Sequence, residues 1–337
     1  MNRKSFLSKA GAIAASIPAL HLPFYSNSEP ERILPKALEA GDKIGFVAPA
    51  GIVFDESEFE KMKRVMELKG FRVAFAENVR KQWGYFSGTD RERAEGINKM
   101  FADPEIKALI AIRGGWGCSR ILEMIDFDLI RENPKIYCGF SDNTALQMAI
   151  LKKTGMITFH GPNGNSEWTE FTRKHFTDVL KNRKPVLMQI PEDERNSTST
   201  IRGGKSAGRL VGGNLTILVS MLGTPYMPDM RGAILFTEDI GEQVYRIDRM
   251  LTQLRLSGVL DEISGFVFGK CYDCKESNGP GFTLDEILKQ HLEPLGVPVF
   301  SGSMISHLEN IFTVPQGAEA EIDADKKTIR LLEPAVV

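Results

Sequence analysis

Ala108-Leu109-Ile110-Ala111-Ile112 is an apolar run that stops in Arg113-Gly114-Gly115-Trp116-Gly117. Further on, Pro134-Lys135-Ile136-Tyr137-Cys138-Gly139 repeats the device and delivers Phe140-Ser141-Asp142-Asn143. A short apolar run bounded by turn residues predicts a strand buried on both faces. Residues 43–48 form another such run, ending in Pro49-Ala50-Gly51. Residues 59–69 have helical spacing and stop at Gly70, and residues 71–75 alternate like a strand. Asp90 is placed to cap a helix running to Phe101, and residues 144–153 form the next helix. This βαβα rhythm predicts an α/β fold with a mostly parallel sheet covered by helices. Such sheets put their sites at the carboxyl ends of the strands, where the glycine cluster and Ser141 both fall.

The chain divides into four stretches. Residues 1–35 read as an export signal and linker, 36–165 as an α/β unit, 166–205 as a polar linker with a helix at 171–181, and 206–337 as a second unit. In the second unit, 208–214 reads as a glycine-broken strand and turn, 233–237, 265–269 and 297–300 as strands, and 215–221 and 246–256 as helices. The tail from Ala318 alternates and ends in β structure. The N-terminus sets Arg3-Lys4-Ser5-Phe6-Leu7-Ser8-Lys9 before the charge-free segment 10–20, a basic region followed by an apolar one. It resembles a twin-arginine signal with Lys in the second position, so a periplasmic location is expected, with the cytoplasm as the alternative.

Length and charge narrow the function. A chain of 337 residues buries a core without disulfide or metal staples. The formal net charge of −2 gives no electrostatic reason for a nucleic-acid partner. No apolar run reaches the roughly 18 residues of a membrane span. The four cysteines exclude a disulfide-dense scaffold. Cys271-Tyr272-Asp273-Cys274 is one CxxC with no second pair, so it reads as two structural thiols and no metal site is expected.

Ser141 at a tight strand-to-helix turn would lift its Oγ above the sheet, with the next N–H at a helix N-terminus where an oxyanion is favoured. The same residue would also serve as an ordinary N-cap. Asn143 stands where such elbows usually have glycine. The glycines at 114, 115 and 117 allow backbone N–H groups to approach a ligand, or make a plain turn. A serine nucleophile needs a base and an orienting carboxylate. His21 falls in the signal, and His175 and His291 read as solvated, which leaves His160 and His307. Glu238, after the strand 233–237, and Glu242 are the competing carboxylates.

Six blocks in order resemble one family. They are residues 41–49, 113–118, 139–142, 212–215, the pair Glu238-Asp239-Ile240-Gly241-Glu242 with Tyr245-Arg246-Ile247-Asp248-Arg249, and Ser306-His307. Together they resemble the LD-carboxypeptidase family, serine peptidases that trim murein tetrapeptides and whose relatives include the microcin C immunity proteins. The resemblance runs from about Gly41 to the C-terminus and implies Ser141 as nucleophile, His307 as base and Glu238 as its carboxylate. It further implies an oxyanion hole from the N–H groups of Asp142 and Gly115, and no cofactor. Gly114, Trp116, Arg113 and Arg246 are the substrate-binding candidates, with Arg249 a third arginine able to meet a carboxylate. The implied fold is a doubly wound N-terminal α/β domain carrying the nucleophile and a smaller β-rich C-terminal domain carrying Glu and His. The implied reaction releases C-terminal D-Ala from a murein peptide; a homodimer is compatible with it. Gly115-Trp116-Gly117-Cys118 resembles the carboxypeptidase branch rather than the immunity branch, whose enzymes cleave peptidyl adenylates. A non-catalytic periplasmic binding protein shares the layout but has no need of Ser, Glu and His in one cleft.

Overall fold

Six strands build the first sheet, in the order β12-β5-β4-β3-β1-β2. The computed structural model describes residues 30–276 and 280–337. The basic and apolar segments that carry the export reading lie outside the described residues. The strands are β1 (Lys43–Val47), β2 (Arg72–Phe75), β3 (Ile106–Ala111), β4 (Ile136–Gly139) and β5 (Thr158–His160), all parallel, with β12 (Val314–Gln316) antiparallel at the edge. Between them run α1 (Glu56–Glu67), α2 (Asp90–Ala102), α3 (Phe127–Glu132) and α4 (Thr144–Thr154). The order reverses between β1 and β3, and the loops that leave those two strands flank the crevice where such sheets bind ligands. Helix α2 is capped by Thr89, not Asp90: Thr89 and Glu92 bond reciprocally to each other's backbone. Asp90 is thereby free to hold Arg93 and Arg120.

The second sheet has eight strands, ordered β6-β14-β13-β8-β9-β10-β11-β7. Its parallel centre is β8 (Lys205–Asn214), β9 (Ile234–Ile240), β10 (Gly265–Tyr272) and β11 (Val299–Ser301). Antiparallel strands β13 (Glu319–Asp323), β14 (Thr328–Leu331), β6 (Leu187–Gln189) and β7 (Ser199–Arg202) extend it on both sides. Helices α5 (Glu170–Leu180), α6 (Leu215–Ser220), α7 (Val244–Leu256), α8 (Val259–Glu262) and α9 (Leu284–Leu292) complete the chain. The two-sheet α/β architecture agrees with the fold expected from the sequence.

Three local expectations change. Residues 166–205 hold two strands besides the expected helix, because polar edge strands pair by backbone and carry no apolar period. The stretch 208–214 is not broken at its glycines but lies inside one ten-residue strand. A Cβ on Gly212 would stand 1.7 Å from Phe236 O and one on Gly213 2.4 Å from Thr144 Oγ1. The glycines therefore let β8 pack tightly on its neighbours, including α4 of the first unit. Strand β12 leaves the C-terminal stretch and pairs with β5, tying the two units together.

His175 is not solvated. Thr172, His175, Phe176 and Val179 form the inward stripe of α5, and His175 packs between Phe171 (4.4 Å) and Phe312 (4.6 Å). Burial pulls its pKa down to about 4, with a smaller push from Lys174. The folded value is depressed, so the stability from keeping this ring neutral is complete above pH ~6.5 and is lost as pH falls toward 4. Unfolding free energy should drop by about 2 kcal/mol from this group between pH 6.5 and 4.5. Urea titrations of wild type and His175→Gln should show a shallower fall in the variant; parallel falls would contradict it. His291 also departs from that reading, its Nε2 lying 2.7 Å from Asp248 Oδ1.

Candidate active site

Strand β4 ends at Gly139, and two residues later Ser141 adopts φ +65°. That left-handed conformation is costly for a residue with a Cβ, on the order of 1–3 kcal/mol, and needs surrounding structure to hold it. Asn143, wholly buried, supplies much of that hold. Its amide donates to the carbonyls of Phe140 (3.0 Å) and Arg113 (3.3 Å), and its oxygen accepts from Tyr137 Oη (2.7 Å). The residue that departs from the usual glycine is thus a staple across the ends of β3 and β4. Asn163 Oδ1 accepts from Phe140 N at 3.2 Å, and Gln147 donates to Gly139 O at 2.8 Å. Only the non-glycine at 143 hinted at these supports in the sequence.

The glycine turn lies directly beneath. A Cβ on Gly114 would come 2.8 Å from Ser141 Cβ and 3.0 Å from its Oγ. Gly115 is exposed, with φ +110°. The buried Asp142 carboxylate accepts from Cys118 N at 2.8 Å, joining the elbow to the turn. Burial raises the pKa of that carboxyl, and the Cys118 hydrogen bonds oppose the rise.

From the second sheet, β9 continues past Thr237 to Ile240, so Glu238 and Asp239 are strand residues and face opposite ways. Glu238, with no exposure, places Oε2 2.8 Å from His307 Nδ1. Asp239 accepts instead from Asn214 Nδ2 (3.0 Å), Thr216 N (3.0 Å) and Thr216 Oγ1 (2.8 Å). Burial, then the neighbouring Glu238 charge, raises its pKa to about 6. Glu242 is engaged elsewhere, 2.5 Å from Arg246.

His307 sits in the loop after β11, which is anchored on β10 by Lys270 N to Ile305 O (3.0 Å) and Ser306 Oγ to Lys270 O (2.6 Å). Its ring packs 4.8 Å from that of Phe140, the residue before Ser141. His160 lies behind the same group, against Phe140 (6.1 Å) and Phe236 (5.5 Å). Burial lowers its pKa to about 4, and its buried Nδ1 has no hydrogen-bond partner among the described residues. His307 alone of the two is bonded to a carboxylate.

The remaining candidates divide. Trp116 is half exposed beside the glycine turn, while Arg113 donates from Nη1 to Ile52 O at 2.9 Å. Arg246 is taken by Glu242, and Arg249 lies over the ring of Tyr245 at 5.3 Å. Cys271 and Cys274 are not free thiols: they are bridged, because the chain turns tightly after β10 through Asp273, at φ +52°. The bridge lies beside the carboxyl end of β9, where Cys271 pairs with Asp239. Cys118 and Cys138 are free and buried.

A hydroxyl on a strained elbow, an imidazole oriented by a buried carboxylate and a glycine turn under the hydroxyl form a set able to attack an acyl carbon. The LD-carboxypeptidase N-terminal domain family matches residues 44–161, and the LD-carboxypeptidase C-terminal domain family matches residues 207–322. A probable murein peptide carboxypeptidase of Bacillus subtilis is 38 % identical over 301 residues, which cover 87 % of this chain and 92 % of that protein. The structure of muramoyltetrapeptide carboxypeptidase from Oxalobacter formigenes matches with TM-score 0.76 at 33 % identity, covering 86 % of this chain and 97 % of that one. The microcin C7 self-immunity protein in complex with aspartyl sulfamoyl adenosine matches with TM-score 0.85 at 30 % identity, covering 90 % of this chain and 100 % of that one.

Proposed function

The chain belongs to the LD-carboxypeptidase family, and from that premise we propose that it is a serine carboxypeptidase releasing C-terminal D-Ala from murein tetrapeptides. The observation that carries the reading is the buried Glu238 carboxylate on His307 Nδ1, beside the strained Ser141 elbow. Glu238 keeps the proton on Nδ1, so Nε2 is the nitrogen left to take the Ser141 proton. Oγ then attacks the carbonyl of the diamino acid, an L-centre. The N–H groups of Asp142 and Gly115 receive the oxyanion, each donor worth about 3 kcal/mol in the transition state. His307 returns the proton to the leaving amine of D-Ala, and water, activated by the same imidazole, resolves the acyl-enzyme.

The oxyanion donors belong to the backbone, so one face of the carbonyl is open to attack. A tetrapeptide ending in D-Ala should be cleaved at least about a hundredfold faster than its L-Ala epimer, because misplacing the carbonyl by about 1 Å costs that much. Mass spectrometry of the two synthetic peptides measures this. Equal cleavage, or cleavage of neither alongside turnover of a peptidyl adenylate, would remove the reading. The basic-then-apolar N-terminus supports export of the enzyme. Cell fractionation should find most of the protein outside the cytoplasm; a cytoplasmic pool retaining Met1 would contradict that.

A further inference from the structure

Beside the glycine turn the surface carries four large exposed rings: Phe54 (75 % exposed), Trp83 (48 %), Tyr85 (62 %) and Trp116 (45 %). They stand on the loops that leave β1, β2 and β3, all at the carboxyl end of the first sheet. Water-facing aromatics gathered at the rim of a cleft mark a contact surface more often than scattered ones do. Trp83 and Tyr85 are grouped about one buried ring. Phe86 lies 5.9 Å from Trp83, nearly parallel, and 4.4 Å from Tyr85. A Cβ on Gly117 would stand 2.6 Å from Phe86, which places the turn after Trp116 against the same ring.

The group is built to stay in place. The guanidinium of Arg93, wholly buried, donates to the carbonyls of Pro49 and Gly117 and covers Phe86 at 4.4 Å. Arg120 lies over Trp83 and Phe86 and gives its charge to Asp90 at 2.7 Å. Asn78 donates to both Ala48 O and Ser87 O at 2.9 Å, closing the loops on each other. A surface ordered before binding loses little freedom on contact.

It is also continuous with the catalytic cleft. Ile52 N donates to Tyr85 O, Gly51 N donates to Gly114 O, and Gly114 lies against Ser141. Adjacent strands are about 4.8 Å apart, so the two hydrogen-bonded steps from Tyr85 to Gly114 span about 10 Å, with Ser141 one further contact away. An extended chain advances about 3.3 Å per residue, so the three residues on the acyl side of the scissile bond reach about the same distance. On the proposed substrate, the group attached beyond them is the muramoyl sugar. The peptide between carries carboxylates, which the negative faces of aromatic rings do not favour. A pyranose presents an uncharged face of C–H groups and a rim of hydroxyls, which suits the apolar body and polar tip of Trp and Tyr.

We propose that Trp83 and Tyr85, with Trp116 on the cleft side, form a stacking platform for the sugar of a muramoyl peptide, making the enzyme selective for glycan-linked over free tetrapeptide. The proposal rests on the carboxypeptidase reading, so its test has two arms. In the first, kcat/KM is measured on the full chain for the free tetrapeptide and for the same peptide carrying N-acetylmuramic acid. The sugar should raise kcat/KM on the order of tenfold, mostly through KM. In Trp83→Ala/Tyr85→Ala the ratio between the two substrates should fall to within about twofold of one. The single variant Tyr85→Ala, which leaves the Trp83–Phe86 stack in place, should lower the ratio in the same direction. A wild-type ratio near one, or a ratio unaltered by these changes, overturns the platform.

In the second arm, tryptophan fluorescence is titrated with N-acetylmuramoyl-L-alanyl-D-isoglutamine and with L-alanyl-D-isoglutamine alone. Neither has a scissile C-terminal D-Ala. Trp83 and Trp116 are half exposed while Trp168, the third tryptophan, is buried, so a change in emission reports the rim. Saturable quenching by the sugar-bearing compound only, lost in Trp83→Ala/Tyr85→Ala, supports the platform even where no tetrapeptide is cleaved; that outcome would remove the carboxypeptidase reading alone. Absence of quenching, or equal quenching by both compounds, overturns the platform whatever the turnover.

Discussion

Replacing Ser141 by alanine is expected to lower tetrapeptide turnover by about 10⁴-fold or more, while the protein stays folded and still binds peptide. The magnitude is that of removing a nucleophile from a unit whose members act together. The fold should tolerate the change, since Asn143, Gln147 and Asn163 hold the elbow through backbone groups and not through the serine side chain. Ser141→Gly sharpens the test. At φ +65° glycine is at ease where serine is strained, so this variant should be inactive yet more stable by about 1 kcal/mol. Product release by mass spectrometry and urea denaturation measure the two effects. Hydrolysis near the wild-type rate in either variant would show that Ser141 is not the nucleophile.

Glu238→Gln is expected to lower kcat by about 10³- to 10⁴-fold with a much smaller effect on KM. A neutral amide cannot stabilise the imidazolium formed when His307 takes the proton, and it no longer dictates which nitrogen carries hydrogen. The comparison is Glu242→Gln. That carboxylate holds Arg246, while the His307 ring is bonded to Glu238, so its loss should change kcat by no more than about threefold. Steady-state kinetics on the D-Ala tetrapeptide separate the two acids. Equal losses in both variants, or a larger loss in Glu242→Gln, would overturn the assignment of Glu238.

Much of the first sheet was legible because it is made of strands buried on both faces. Such strands write themselves into the sequence as uninterrupted apolar runs, and the turns between them need glycine or proline. The edge strands at 187–189 and 199–202 were not legible. They earn their place by backbone pairing, and their side chains follow no apolar period. His175 is hard to read for a related reason: Arg173, Lys174 and Asp178 beside it obscure the inward stripe of α5, which only the packing of Phe171 and Phe312 makes plain. The CxxC pair looked like thiols because spacing alone does not say whether the chain turns back on itself between the two residues.

For the site, local sequence determined the parts that are local. An apolar run ending in Gly114-Gly115 and another ending at Ser141 had to reach the same edge of a parallel sheet, since every strand of such a sheet ends on that side. What no local pattern determines is which distant side chains meet there. Residues alone left His160 and His307 open, and Glu238 and Glu242 open, because each of the four lies near a strand end in a polar stretch. Tertiary structure separates them. The alternation of β9 turns Glu238 and Asp239 to opposite faces, and the His307 loop, seated on β10, brings Nδ1 to Glu238 across 69 residues of chain. His160, on β5, is sealed among rings, its Nδ1 unpartnered among the described residues. The physical reason is that an imidazole–carboxylate hydrogen bond requires a few ångströms between atoms, and only sheet register and loop anchoring place atoms that closely when sequence separates them so far.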